Sequence, residues 1–154
     1  MADAPRTWVL TSAPDNHAAT AALGFTVIGM KERRRNQALT MVPGDRIVLY
    51  LTKVQRFAAA IRLTGELYED REKIWPGKPG AADAYPWRFA CEPELVLAEP
   101  DWVAAESLRY DLEHIMKWPA EHWKLAFQGQ LRTVSEADAE LLMERMHAAG
   151  GVAA

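Results

Sequence analysis

The hydrophobic pattern is sharpest from Val42 to Glu66, VPGDRIVLYLTKVQRFAAAIRLTGE, where two strand-length apolar runs meet across a short polar loop. Pro43-Gly44-Asp45 is a turn signal, and Arg46 to Leu51 is a nearly unbroken β-branched, aromatic and aliphatic run. Thr52 to Arg56 supplies the loop. The return strand alternates, with Phe57, Ala59, Ile61 and Leu63 on one face and Ala58, Ala60, Arg62 and Thr64 on the other. The first face reads as core. The second, reduced to small residues, leaves room for a closely packed helix or for a ligand.

The same pattern organises the rest of the chain. Thr7 to Thr11 predicts a first strand, followed by the helix-start signal Ser12-Ala13-Pro14-Asp15, in which Ser12 or Asp15 can accept from the first free amides. An alanine-rich helix ends at Gly24, and Phe25 to Gly29 predicts a second strand. Met30 to Val42 is basic and without a period, with room for one helical turn near Asn36 to Leu39. Arg71 to Pro86, with its prolines and glycines, reads as a long loop whose apolar content is Ile74-Trp75-Pro76. Trp87 to Glu92 alternates again, and Pro93 predicts a bulge or edge before Leu95-Val96-Leu97. Asp101 can cap a helix with apolar positions Ala105, Leu108, Leu112 and Ile115. Gln130 to Val134 reads as a last strand. Ser135-Glu136-Ala137-Asp138 opens a closing helix with the stripe Ala139, Leu142, Met143 and Met146. Short strands and helices without strict β-α-β alternation predict an α+β fold with a mainly antiparallel sheet.

Composition narrows this picture. A length of 154 residues with 49% hydrophobic residues suits one domain, 1–154, with its core at about 7–147. The N-terminus lacks a secretory pattern and no apolar run is long enough to span a bilayer, so the expectation is a soluble, cytoplasmic protein with no membrane partner. The lone Cys91 alternates with Trp87 and Phe89 and reads as a small buried hydrophobe. The four histidines are too scattered for a metal site, no phosphate-loop motif is present, and neither metal nor cofactor is expected.

Charge adds a different feature. From Lys31 to Leu63 eight basic residues stand against Glu32 and Asp45, a local balance of +6 in a chain whose net charge is −3. Such segregation suits a phosphate-binding face on an acidic domain; pairing with acidic neighbours explains it equally well. Short polar side chains after the first strand and a loop tryptophan are the parts of a pocket for a flat base with hydrogen-bonding edges. Trp75 is either its stacking face or core cover.

The ordered pieces WVLTS, GFTVIG-M-KERRRN, PGDRIVLYLT, FAAAIRLTGELYED, IWP, YPWRF and GQLRTVSEAD, from Thr7 to about Met146, resemble those of EVE domains in the PUA-like superfamily, and the related YTH domains read along similarly. The resemblance implies a small β-barrel flanked by helices, with a pocket for a modified, methylated base flipped out of DNA or RNA. It puts Ser12 and Asn16 at the polar edge of the pocket, Trp75 on one wall, and Ile28-Gly29 where the second wall begins. Lys31, Arg33, Arg34, Arg35, Lys53 and Arg56 would meet phosphates around its mouth. Many relatives carry tryptophan where this chain has Ile28. Losing one stacking partner lowers affinity by about one to two orders of magnitude, unless Phe25 turns inward. The expected function is a non-catalytic reader of a modified nucleobase. The alternative is a PUA-like enzyme of the ASCH type, an amidohydrolase or nuclease acting on a modified nucleoside or RNA through Lys31 and Glu32.

Overall fold

The computed structural model describes residues 5–76, 84–127 and 131–150, with the backbone of 152–153. The middle of the loop read from Arg71 to Pro86, and Gly129 with Gln130, the first residue of the strand read at Gln130 to Val134, lie outside the described residues.

The strands are β1 (Thr7–Ser12), β2 (Val27–Met30), β3 (Arg46–Leu51), β4 (Arg56–Leu63), β5 (Tyr68–Glu69), β6 (Trp87–Val96), β7 (Val103–Ala104), β8 (Leu131–Val134) and β9 (Val152–Ala153). The helices are α1 (Pro14–Ala22), α2 (Arg35–Ala38), α3 (Glu113–Met116) and α4 (Glu136–Ala148), and short 3-10 turns lie between them. The sheet runs β2-β6-β4-β3-β1-β8, with β5 and β9 added to β6 and β7 to β4. It curls into a half-barrel flanked by helices. The sheet is mixed: β1 and β3 are parallel, and the other ladders are antiparallel. The parallel pair follows from the long crossover through α1, β2 and α2, which returns the chain to the end where it started.

Successive residues of the central strands enter different cores. Val9, Val48, Tyr50, Phe57 and Ala60 join the helical side chains Leu108, Leu112, Ile115, Trp123, Phe127, Leu142 and Met146. Trp8, Leu10, Ile47, Leu49, Ala59 and Ile61 join Ile28, Met30, Ala38, Phe89 and Leu131. Thus Ala60, on the alanine face, packs beneath the helical side chains. Phe127 stacks on Tyr50 with ring centroids 4.4 Å apart and meets Phe57 edge-on at 5.5 Å.

The alternation expected for β4 fails at one point. Leu49 faces Ala59 but Tyr50 faces Phe57, so Ala58 is an extra residue that turns Phe57 away from Ala59 and Ile61 and into the helical core. A second bulge lies in β6, where the partner of Ala60 is Leu95 and the partner of Ile61 is Pro93. Pro93 thus produces the bulge and not an edge. It leaves Glu94 to accept from Arg46 Nε at 2.7 Å, Arg46 Nη2 at 3.0 Å and Arg62 Nε at 2.7 Å.

Local capping differs from expectation twice. Helix α1 begins after Ala13 with no side-chain cap, and Ser12 Oγ instead donates to the Ala13 carbonyl at 3.2 Å; Pro14 needs no donor partner. The continuous helix expected over Ala105 to Ile115 is two short pieces. Leu112 is extended, and the amides of Glu113 and His114 donate to Asp138 of α4 at 2.8 and 2.9 Å. Asp101 ends a 3-10 turn and caps no helix. At α4 the expected cap is present, Ser135 Oγ accepting from Asp138 N at 3.1 Å. The second strand starts late because Phe25 takes a left-handed φ of 57° after Gly24. Asp45, in the turn before β3, is fully buried and accepts from the Arg6 amide, Trp8 Nε1 and the Val42 amide at 3.0, 3.1 and 3.2 Å. It ties β1 to the hairpin.

The Glu94 fork sets a pH dependence. Burial favours the neutral carboxyl, but hydrogen bonds and charge from Arg46 and Arg62 outweigh it and hold Glu94 below its ordinary value. Because the folded value is depressed, this stabilisation is present above the unfolded pKa and is lost as pH falls through the folded one. Glu94→Gln should lower stability at neutral pH by about 1–3 kcal/mol in urea unfolding. The gap to the parent should close as the pH drops below about 4. A gap independent of pH would contradict the charge's role.

Candidate functional site

Five residues singled out in the sequence, Ser12, Asn16, Ile28, Gly29 and Trp75, line one cavity together with Leu10, Thr20 and Tyr85. Its position follows from the fold. Strand β1 ends at Ser12, α1 turns Asn16 and Thr20 inward four residues apart, and β2 runs alongside with Ile28 and Gly29. The segment before residue 76 lays Trp75 across the opening.

Trp75 closes the cavity. It is 3% exposed, and its indole Nε1 donates to Thr20 Oγ1 at 2.8 Å. Thr20 Oγ1 in turn donates to the Asn16 carbonyl at 3.2 Å. The ring lies so close to β2 that a Cβ on Gly29 would stand 2.6 Å from Trp75 Cζ3 and 2.7 Å from the Tyr85 carbonyl oxygen. Only glycine admits this contact. The space left is about 20 Å³, enough for a single water and far too small for a base.

Arg88, 1% exposed on β6, holds Trp75 there. Its guanidinium lies 5.1 Å from the Trp75 ring centroid. It also donates to the carbonyls of Tyr85 and Ala84, each at 3.2 Å, and to that of Glu72, and it pairs with Asp70 at 3.4 Å. Tyr85 takes a φ of 52° to bring its carbonyl round, and its ring packs on Trp75 at 6.0 Å. The sequence reading missed Thr20, Tyr85 and Arg88. Thr20 had a signal, its spacing of four from Asn16, and Arg88 had one as a lone charge between Trp87 and Phe89.

Phe25 does not replace the missing aromatic at Ile28. It is buried against His17, with ring centroids 5.6 Å apart, and does not line the cavity. Burial pushes the His17 imidazole down. Burial, reinforced by Glu92, pushes the Cys91 thiol up to about 12, and the sulfur donates to the Phe25 carbonyl at 3.2 Å. It is no nucleophile.

The cations of the basic segment lie on several elements. Lys31 to Arg35 continue from β2, and Lys53 and Arg56 sit at the tip of the β3-β4 hairpin, which is tied to β1 by Thr52 N donating to the Ser12 carbonyl at 2.9 Å. Arg35 lies over the Trp87 ring at 5.1 Å, and Arg56 donates to the Trp102 carbonyl at 3.4 Å. Arg46 and Arg62 of the basic segment belong to the Glu94 fork instead. Lys31 and Glu32 do not line the cavity, and Glu32 pairs with Arg71 at 2.9 Å on the surface. Among the described residues no cluster of His, Cys, Asp or Glu could hold a metal ion, and no helix is long and apolar enough to cross a membrane.

Solved structures share this fold. The YTH domain of Zygosaccharomyces rouxii in complex with N6-methyladenosine RNA is 17% identical, with a TM-score of 0.63 over 92% of this chain and 86% of that one. A hypothetical protein from Leishmania major is 14% identical, with a TM-score of 0.62 over 96% of this chain and 98% of that one. A protein of Rhodopseudomonas palustris is 14% identical, with a TM-score of 0.59 over 93% and 94%. The fold is therefore YTH-like. No family model matches the chain, and no curated protein matches it in sequence.

The contact between Trp75 and Gly29 is testable. Gly29→Ala forces the ring off β2 and should lower stability by about 1–3 kcal/mol, with a red shift of tryptophan emission as the indole meets water. Unchanged melting and emission would show that Trp75 does not rest on Gly29.

Proposed function

We propose that the chain is a non-catalytic, EVE-type reader that takes a modified base of RNA or DNA into the cavity between β1, α1, β2 and Trp75. The observation that carries this reading is the convergence of Ser12, Asn16, Ile28, Gly29 and Trp75 on one cavity of a YTH-like fold. A YTH domain of that fold has been solved with N6-methyladenosine RNA.

In this reading the closed cavity is the empty state. A base enters when the indole leaves Gly29 and presents its face. That step breaks the bond to Thr20, worth about 0.5–1.5 kcal/mol net, and gains a base stack worth about 1–3 kcal/mol. It also gives up the packing of the indole on Gly29, Tyr85 and Arg88, a cost that the bonds of Ser12 and Asn16 to the base and the phosphate contacts offset. Ser12 and Asn16 bond the polar edge of the base, and Ile28 contacts the opposite face by dispersion. One aromatic wall in place of two makes a weaker reader, with less preference for a methyl group. The strand passes between the two groups of cations, Lys31, Arg33, Arg34 and Arg35 on one side and Lys53 and Arg56 on the other, whose phosphate contacts supply the sequence-independent affinity.

Fluorescence anisotropy tests the reading with short RNA and DNA oligonucleotides that differ only in one modified base, at two salt concentrations. One modified oligonucleotide should bind about tenfold or more above its unmodified twin. Trp75→Ala should remove most of that difference, about 1–3 kcal/mol, and leave the salt dependence intact. Equal binding of every modified and unmodified strand would contradict the reading.

A further inference from the structure

The basic segment does not act alone in space. The 3-10 turn Glu32–Arg34 and α2 pack beside β8, where Arg34, Gln37, His114, Lys117 and Arg132 border a second cavity of about 350 Å³. Three cations drawn from separate parts of the chain therefore face one space. No carboxylate lines it among the described residues. Of the acids on adjoining elements, Glu113 Oε2 accepts from Ser135 Oγ at 3.0 Å, and Asp138 accepts from the amides of Glu113 and His114.

Like charges gathered around one space repel one another, and an anion bound among them relieves that repulsion. Burial first, and then the charges of Arg33 and Arg132, push the Arg34 guanidinium below its ordinary value. Its Nε is buried without a hydrogen-bond partner, while Nη1 donates to Gln37 Oε1 at 3.2 Å. Gln37 is fixed in turn, its Nε2 donating to the Leu131 carbonyl at 3.0 Å. His114 completes the wall, its Nε2 standing 2.6 Å from the Ala126 carbonyl. A guanidinium steered by a neighbour beside two further cations is suited to a tetrahedral oxyanion.

We propose that this cavity, bordered by Arg34, Gln37, Lys117 and Arg132, is a binding site for one phosphate group. Two sources share that chemistry, a phosphodiester of a bound strand and a free phosphate or phosphomonoester. The placement suits either. Arg34 follows Gly29 of the base cavity by five residues, and Leu131 of this site pairs with Leu10 of the other. The site does not require that the first cavity accept a base.

Amide NMR separates the possibilities. Inorganic phosphate, titrated at constant ionic strength against sodium chloride, should give saturable shifts at Leu131, Arg132, Thr133 and the Gln37 side chain. Lys117 is on the surface, so Lys117→Ala should weaken phosphate several-fold without unfolding the domain, and Lys117→Ala with Arg132→Gln should weaken it at least tenfold. Displacement of phosphate by an unmodified oligonucleotide identifies the phosphodiester as the source, and failure to displace identifies free phosphate; both outcomes keep the site. Shifts that do not saturate, that spread over the surface, or that persist undiminished in the folded double variant would overturn it. A modified nucleoside without phosphate, which would shift Gly29 and not Thr133, tests the base cavity separately.

Discussion

A central strand packed on both faces controls this structure. Residues Phe57 to Ile61 of β4 are all buried, because one side of the sheet carries the C-terminal helical segments and the other carries α2, β2 and the first half of β6. Burial of that kind is the largest favourable contribution to folding, at about 25 cal/mol for each Å² of apolar surface. Alanines at 58, 59 and 60 let both layers approach closely. The two bulges adapt the strands to the curl: one turns Phe57 toward Tyr50 and Phe127, and the other brings Glu94 between Arg46 and Arg62.

With both faces filled, the two cavities described above lie at the rim. The small cavity lies where β1 and β2 end against α1, and the basic cavity lies where the chain leaves β2 and meets β8. Trp75 belongs to both structure and function in this account. In the closed state it is core, seated on Gly29, bonded to Thr20 and held by Arg88. In the proposed reading the same indole is the face that stacks on a base, with Ile28 opposite.

Features that depend on neighbours in sequence were legible in the chain. The hairpin, its turn, the α4 cap and the Pro93 bulge each have local signals. What could not be read arises from partners distant in sequence. The spacing of Ala105, Leu108, Leu112 and Ile115 suits a continuous helix, yet Asp138 restarts the helix at Glu113. No residue type marks Ala58 as a bulge. The parallel β1-β3 pair depends on the path of the crossover, which alternation does not encode. Five residues of the small cavity were named through a resemblance while Thr20 and Tyr85 were missed, and the sequence left Trp75 open between stacking face and core cover. The basic segment suits either a phosphate-binding face or pairing with acidic neighbours, and its composition does not say which arginine does which. In space Arg46 and Arg62 serve Glu94, while Arg34 finds Lys117 and Arg132.

The central claim is that Trp75 exchanges its seat on Gly29 for a base. Its indole Nε1–H resonance, followed by NMR during titration with an oligonucleotide carrying one methylated base, reads that exchange directly. The account predicts a large shift of this resonance and of the Gly29 amide as the bond to Thr20 is lost, with little change for the unmodified strand at the same concentration. An indole resonance that stays in place while the methylated strand binds would contradict it.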